Sequence, residues 1–285
     1  MQAPPEIPII PSVAPLASRF DAWICDIWGV LHNGVATYPK ALDACRRFRA
    51  SGGTVILVSN APRPNSSVLR QFETLGIAPD AYDLILTSGD VTRAMIEKMP
   101  GTPTLHIGPE RDLALFDGLD LPRVTDDEAT FVLCSGLYDD TTETPDHYTE
   151  HLTRLVKRRV PMLCANPDIK VDRGGTIVYC AGAIAARYAE LGGLVTYAGK
   201  PHAPIYDRAF DEIGKIRGTR PEKDRVLAIG DGVHTDIEGG VAYGIPSLYV
   251  PSAIHLDSPL DTAALARLFP EAAMRPTFAS PALAW

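Results

Sequence analysis

A doubly wound parallel α/β core with a second α/β domain inserted into it is the architecture this sequence predicts. Three observations predict it. Short apolar runs alternate with amphipathic, glycine-terminated segments over 20–88, the same alternation returns over 194–250, and the stretch 88–187 between them carries strand and helix patterns of its own. Such alternation implies right-handed βαβ crossovers and a parallel sheet covered by helices on both faces.

Taken in order, FDAWICDIW (20–28) is an apolar run of strand length. PKALDACRRFRASGG (39–53) is amphipathic, opens on proline and closes on paired glycines, which marks a helix with a defined start and stop. TVILVSN (54–60) is β-branched, PNSSVLRQFETLG (64–76) reads as a second glycine-terminated helix, and LILTS (84–88) as a third strand. At the far end LVTYAGK (194–200), RVLAIGDG (225–232) and IPSLYV (245–250) read as further core strands, separated by helices over 201–218 and 235–244. The middle offers PTLHIGP, ATFVLCSG and VPMLCANPDI as strands, with TPDHYTEHLTRLVKRR among its helices. The predicted division is a core of 1–87 and 188–285 and an inserted domain of 88–187. After 251 there is one helical patch, DTAALARLF, and a proline-punctuated end without a readable pattern.

At 285 residues and 46% hydrophobic, the chain has enough apolar material for a full core. Its formal charge of -8 provides no broad basic field, which argues against nucleic acid or an anionic membrane as a partner and for a small soluble one. The five cysteines are odd in number and lack C-x-x-C spacing, as expected of buried reduced thiols. The first residues lack a basic segment ahead of an apolar block, and no stretch approaches the ~20 apolar residues of a spanning helix, so a cytoplasmic protein is expected.

In open parallel sheets, ligands bind beyond the carboxyl ends of the strands, where strand order reverses. The polar residues that end the apolar runs are therefore the informative ones: Asp26, Ser59 with Asn60, Lys200, and Asp231 with Asp236. Any one of them alone reads as a turn or a helix cap, and Asp236 stands where it would cap the helix TDIEGG. Together they supply hard carboxylate oxygens for a cation, plus a cation and a hydroxyl for an anion. That is the set a phosphoryl group needs before a nucleophile approaches it.

The pattern resembles the haloacid dehalogenase superfamily of aspartate-nucleophile hydrolases. DIWGVL is similar to its first motif, D-x-D-G-[TV]-[LI], VILVSN to its apolar strand ending in Ser or Thr, GK at 199–200 to its lysine motif, and GDGVHTD to its acidic motif. The size of the insert, with ANPD inside it, is similar to the p-nitrophenyl-phosphatase-like and nucleotide-phosphatase-like members that carry a large α/β cap. The resemblance implies a phosphatase with Asp26 as nucleophile and Mg²⁺ ligand, Ser59 on the transferring phosphoryl, and Lys200 on both Asp26 and phosphate. Asp231 and Asp236 would hold the metal. Asn60 would position Asp26 or the phosphate, or simply form a turn. Arg63 would reach an anionic substrate or lie in solvent. Asn166 and Asp168, in ANPD, would contact the substrate, with turn formation as the alternative for Asp168. The cap would close over the site, and caps of this kind often support a homodimer.

Position 28 departs from the motif. The family's second Asp protonates the leaving oxygen and later deprotonates water, which an indole does not do; the Trp28 backbone carbonyl, by contrast, still serves as a metal ligand by the resemblance. The missing acid/base is worth about 10²–10⁴ in rate. His32, Asp168 or water would replace it, or the leaving group departs without a proton, or the aspartyl-phosphate persists. Two other readings remain: a slow or non-catalytic phosphate-ester-binding protein, and a dehalogenase-like hydrolase, whose family members carry an aromatic at this position but a generally helical insert placed before the Ser motif.

Overall fold

In the computed structural model, which describes residues 6–173, 175–252 and 260–285, the run AWICD forms β1 (Ala22–Asp26) with every residue buried. It leads through a loop to α1 (Pro39–Ala50), which opens on Pro39 and buries Ala41, Leu42, Ala44, Cys45 and Phe48. Phe48 lies flat on Trp23 of β1, ring centroids 3.9 Å apart. The chain continues through β2 (Thr54–Ser59), α2 (Ser66–Leu75), β3 (Leu84–Thr87) and α3 (Ser88–Ile96). Thr87 and Asp90 start α3 with a reciprocal capping box that satisfies two otherwise orphaned backbone donors.

Next come β4 (Thr104–Ile107), β5 (Phe131–Cys134), α4 (Thr149–Lys157), β6 (Met162–Cys164), β7 (Lys170–Arg173), β8 (Thr176–Tyr179), α5 (Ala181–Glu190) and β9 (Val195–Tyr197). The chain ends with α6 (Ala203–Arg217), β10 (Val226–Gly230), α7 (Glu238–Tyr243), β11 (Ser247–Tyr249), α8 (Thr262–Leu268) and β12 (Phe278–Ala279).

Contacts divide the chain into two units. The first comprises the described parts of Met1–Ser59, Val68–Leu86 and Lys200–Trp285. Its six-stranded sheet runs β12-β11-β10-β1-β2-β3, and the registers place Asp26 opposite Val58 and Cys25 opposite Ile229, all parallel. Strand order reverses at β1, so the carboxyl ends of β10, β1 and β2 lie side by side where a ligand site is expected. The second unit, Asn60–Ser67 with Thr87–Gly199, holds a four-stranded parallel sheet, β4-β5-β6-β9, and the antiparallel pair β7-β8. A core built on Val132, Leu152, Ile184 and Tyr188 is its own.

Three expectations change. The strand in LVTYAGK belongs to the second unit, because Val195–Tyr197 pairs in parallel with Met162–Cys164 of β6. The second unit therefore runs on to Gly199 and also claims 60–67. The unreadable tail has a role: β12 adds the outer strand beside β11, and Ile9 bridges to Ala279. All five cysteines are free and buried, as expected. No helix among the described residues is long and apolar enough to cross a membrane.

Candidate active site

Asp26 is the last residue of β1, Ser59 the last of β2, and Asp231 follows β10 directly. Parallel pairing in register brings these strand ends together. Asp236 arrives from a π-helical turn, Val233–Ile237, in which the Ile237 amide reaches back to the Gly232 carbonyl at 3.1 Å. The wider turn places Asp236 inside the turn instead of at the start of a helix, so it is not a helix cap. Its Oδ2 accepts from the Gly232 amide and the Thr235 hydroxyl, each at 3.2 Å. π-turns of this kind recur at functional sites.

Lys200 joins the two buried carboxylates. Its Nζ donates to Asp26 Oδ1 at 2.5 Å and to Asp236 Oδ1 at 2.7 Å, with Lys200, Asp26 and Asp236 exposed by only 3%, 8% and 4%. Asp231 completes a cluster in which carboxylate oxygens of Asp26, Asp231 and Asp236 lie within 4.8 Å of one another. Three acids face one ammonium. Burial, and then the carboxylate of Asp236, push Asp26 well above the usual carboxylate range against the pull of Lys200. Burial works against the Lys200 charge as well, but Asp236 and Asp26 overcome it and raise its pKa. The imbalance is what a divalent cation corrects, and hard oxygens at this spacing are its preferred donors.

Two glycines make room for the cluster. At Gly29 (φ +78°) a Cβ would lie 2.1 Å from Asp231 Oδ2, and at Gly230 it would lie 2.0 Å from Asp236 Cγ. Neither was singled out in the sequence reading, although both stand beside the acidic residues in DIWG and GDG.

The other expected residues divide between the two units. Ser59 is buried at the first unit's sheet end. Asn60 belongs to the second unit, where its Nδ2 donates to Asp168 Oδ1 at 2.8 Å. Asn166 Oδ1 accepts from the Asp168 amide at 3.0 Å, so the ANPD loop is built as an Asx turn. Arg63 is half-exposed and lies 3.7 Å from Asp112.

Haloacid dehalogenase-like hydrolase profiles match residues 23–122 and 197–278. Among solved structures, a haloacid dehalogenase-like hydrolase from Brucella suis is 45% identical, with 96% of this chain and all of that chain covered at a TM-score of 0.83. The chain belongs to the haloacid dehalogenase-like hydrolase family. More distant folds include a 4-nitrophenylphosphatase from Thermotoga maritima, 21% identical over 93% of this chain and 95% of that one, TM-score 0.71. A glycerol phosphate phosphatase from Mycobacterium tuberculosis in complex with calcium is 22% identical over 93% and 74%, TM-score 0.68. A search of curated proteins finds no match.

In this hydrolase His32 is fully buried. Its Nδ1 accepts from the Gly34 amide at 2.9 Å, and its ring meets Phe72 edge-on at 6.0 Å. Burial lowers its pKa to about 4, so the imidazole is neutral and carries no proton to give from Nδ1. A depressed pKa favours the fold above the unfolded value near 6.5, and that contribution disappears as pH falls from there toward about 4. His32→Leu should therefore narrow the difference in unfolding free energy between pH 7 and pH 4.5, by about 2 kcal/mol for a shift of this size. An unchanged gap would show that His32 titrates normally.

Proposed function

We propose that the protein is a Mg²⁺-dependent phosphatase that hydrolyses a small organic phosphate monoester through an aspartyl-phosphate on Asp26. The observation that carries this reading is the cluster of Asp26, Asp231, Asp236 and Lys200 beside the adjoining strand ends. The donor set fits Mg²⁺, with Asp26, Asp231, Asp236 and the Trp28 carbonyl as its proposed ligands. When bound, the ion neutralises phosphoryl oxygens and so admits an anionic nucleophile. Lys200 pulls Asp26 toward its ionised form and orients it. Its bond to Asp236 keeps its position when Asp26 moves toward phosphorus. Ser59 donates to a phosphoryl oxygen. Asp26 then attacks, splitting one difficult hydrolysis into two displacements. We assign substrate selection to the second unit, with Asn166 and Asp168 as contacts. The proposed partner is a small phosphorylated metabolite.

The test is a phosphate-release screen over phosphorylated metabolites with Mg²⁺, EDTA or Ca²⁺ present. Release should require Mg²⁺ and fall with Ca²⁺, which takes longer bonds and more ligands and so ties up both Asp26 oxygens. Undiminished release in EDTA would place the chemistry elsewhere. One observation favours a second reading, a slow ester-binding protein: position 28 is an indole and His32 is neutral and committed to Gly34. That reading predicts tight retention of a phosphate ester with almost no turnover.

A further inference from the structure

We propose that the Trp28 side chain is a specificity determinant: a fixed aromatic face that selects phosphate esters of planar, acidic hydroxyls, meaning aryl or enol phosphates, over alkyl phosphates. The inference rests on the phosphatase reading for its chemistry and on the structure for its binding.

Trp28 is 40% exposed whereas Trp23, five residues earlier, is fully buried. The exposed indole is nonetheless held in one place. Its ring meets His32 edge-on, centroids 5.3 Å apart at 68°, and its backbone bridges to His32, whose carbonyl accepts from the Gly29 amide at 2.9 Å. Beside the ring is Gly34 at φ +88°, where a Cβ would lie 2.4 Å from Trp28 Cη2. A backbone conformation that favours glycine and a buried histidine whose Nε2 has no hydrogen-bond partner among the described residues are thus both beside this ring. Two residues of chain span at most about 7 Å, so the indole begins within reach of a group bonded to phosphorus at Asp26. Val35, next to Gly34 in the chain, is 84% exposed.

The chemistry points the same way. As Asp26 bonds to phosphorus, the bond to the leaving oxygen breaks and that oxygen takes the electron pair. An aryloxide or enolate is stable without a proton and takes one from water afterwards. An alkoxide needs the proton during bond breaking, and residue 28 has none to give. Water then attacks the phosphorus of the aspartyl-phosphate, the bond to Asp26 breaks with its electron pair returning to the carboxylate, and inorganic phosphate leaves with the water's oxygen, its protons passing to the phosphate and to solvent. The same π system that stacks on the indole therefore also spreads the charge that makes it leave. Offset stacking of this kind is worth about 2- to 10-fold in affinity.

The test compares phenylphosphonate with cyclohexylphosphonate, two probes that are not hydrolysed, by calorimetry with Mg²⁺ present. Wild type should bind the phenyl probe about 2- to 10-fold tighter, Trp28→Phe should keep most of that preference, and Trp28→Leu should erase it. In parallel, Trp28→Leu should raise the ratio of KM for phenyl phosphate to KM for an alkyl phosphate by about the same 2- to 10-fold. Equal binding of the two probes by wild type, or a preference that survives in Trp28→Leu, overturns the proposal without any appeal to activity. A phenyl preference in a protein that releases no phosphate from any ester would support the aromatic face and overturn the phosphatase reading.

Discussion

Asp26→Asn should remove turnover while leaving the fold in place. The amide keeps the shape of the side chain but neither attacks phosphorus nor supports a cation as a carboxylate does, so phosphate release should fall by on the order of 10⁶, the scale of losing a catalytic nucleophile. The metal-free protein should at the same time melt higher than wild type. Asp26 is buried against Asp236 and near Asp231 with only Lys200 to offset them, and neutralising one of three crowded acids relieves that repulsion. Lys200 retains Asp236 as a partner at 2.7 Å, so the substitution does not strand its charge. A lower activity with a higher melting temperature identifies Asp26 as a residue kept for chemistry at the expense of stability. Full activity in Asp26→Asn would remove it from the reaction.

The second large effect is expected at Trp28. With no acid/base at that position, p-nitrophenyl phosphate should give a burst of p-nitrophenolate equal to the enzyme concentration and then a slow steady state, because no side chain primes the water that attacks the aspartyl-phosphate. Trp28→Asp should shorten the life of that intermediate and raise turnover of alkyl phosphates by up to about 10²–10⁴. Because the indole is 40% exposed, its removal should cost less than the ~3–5 kcal/mol typical of a large buried aromatic cut to alanine. His32 loses its edge contact, so the melting temperature of the variant is measured alongside. Rapid alkyl phosphate turnover by wild type without a burst would mean that another group supplies the proton.

The residues that end the core strands were legible because an apolar run followed by a polar residue is a local signal. Asp26, Ser59 and Asp231 all lie where that signal puts them. LVTYAGK carries the same signal, yet its strand pairs with β6. Chain order alone does not say which sheet an apolar run joins when two parallel sheets are present. The burial of His32 was illegible for a related reason. LHNG reads as a turn, and what covers the ring includes Phe72, forty residues away. The π-turn that carries Asp236 was also hidden, since a five-residue step differs from a helical one only in backbone geometry. The outer strand β12 is two residues long, too short for any periodicity to register.

The pairing of β1 with β10, Ala22 opposite Val226, has a bearing on how the chain matures. During synthesis β1 and β2 can pair early, since Asp26 meets Val58, but the other edge of β1 stays open until residues 226–230 emerge. By then 87–199 are already out, and they have a sheet and core of their own to fold as a unit. Closing so long a loop adds little free-energy cost, because closure entropy grows only logarithmically with length, but it delays the central sheet. The delay has a useful side. Asp26 stays in water until Lys200, Asp231 and Asp236 arrive, so no intermediate has to bury a lone carboxylate. The acidic cluster is thus assembled late, in the same event that closes β1 between β2 and β10.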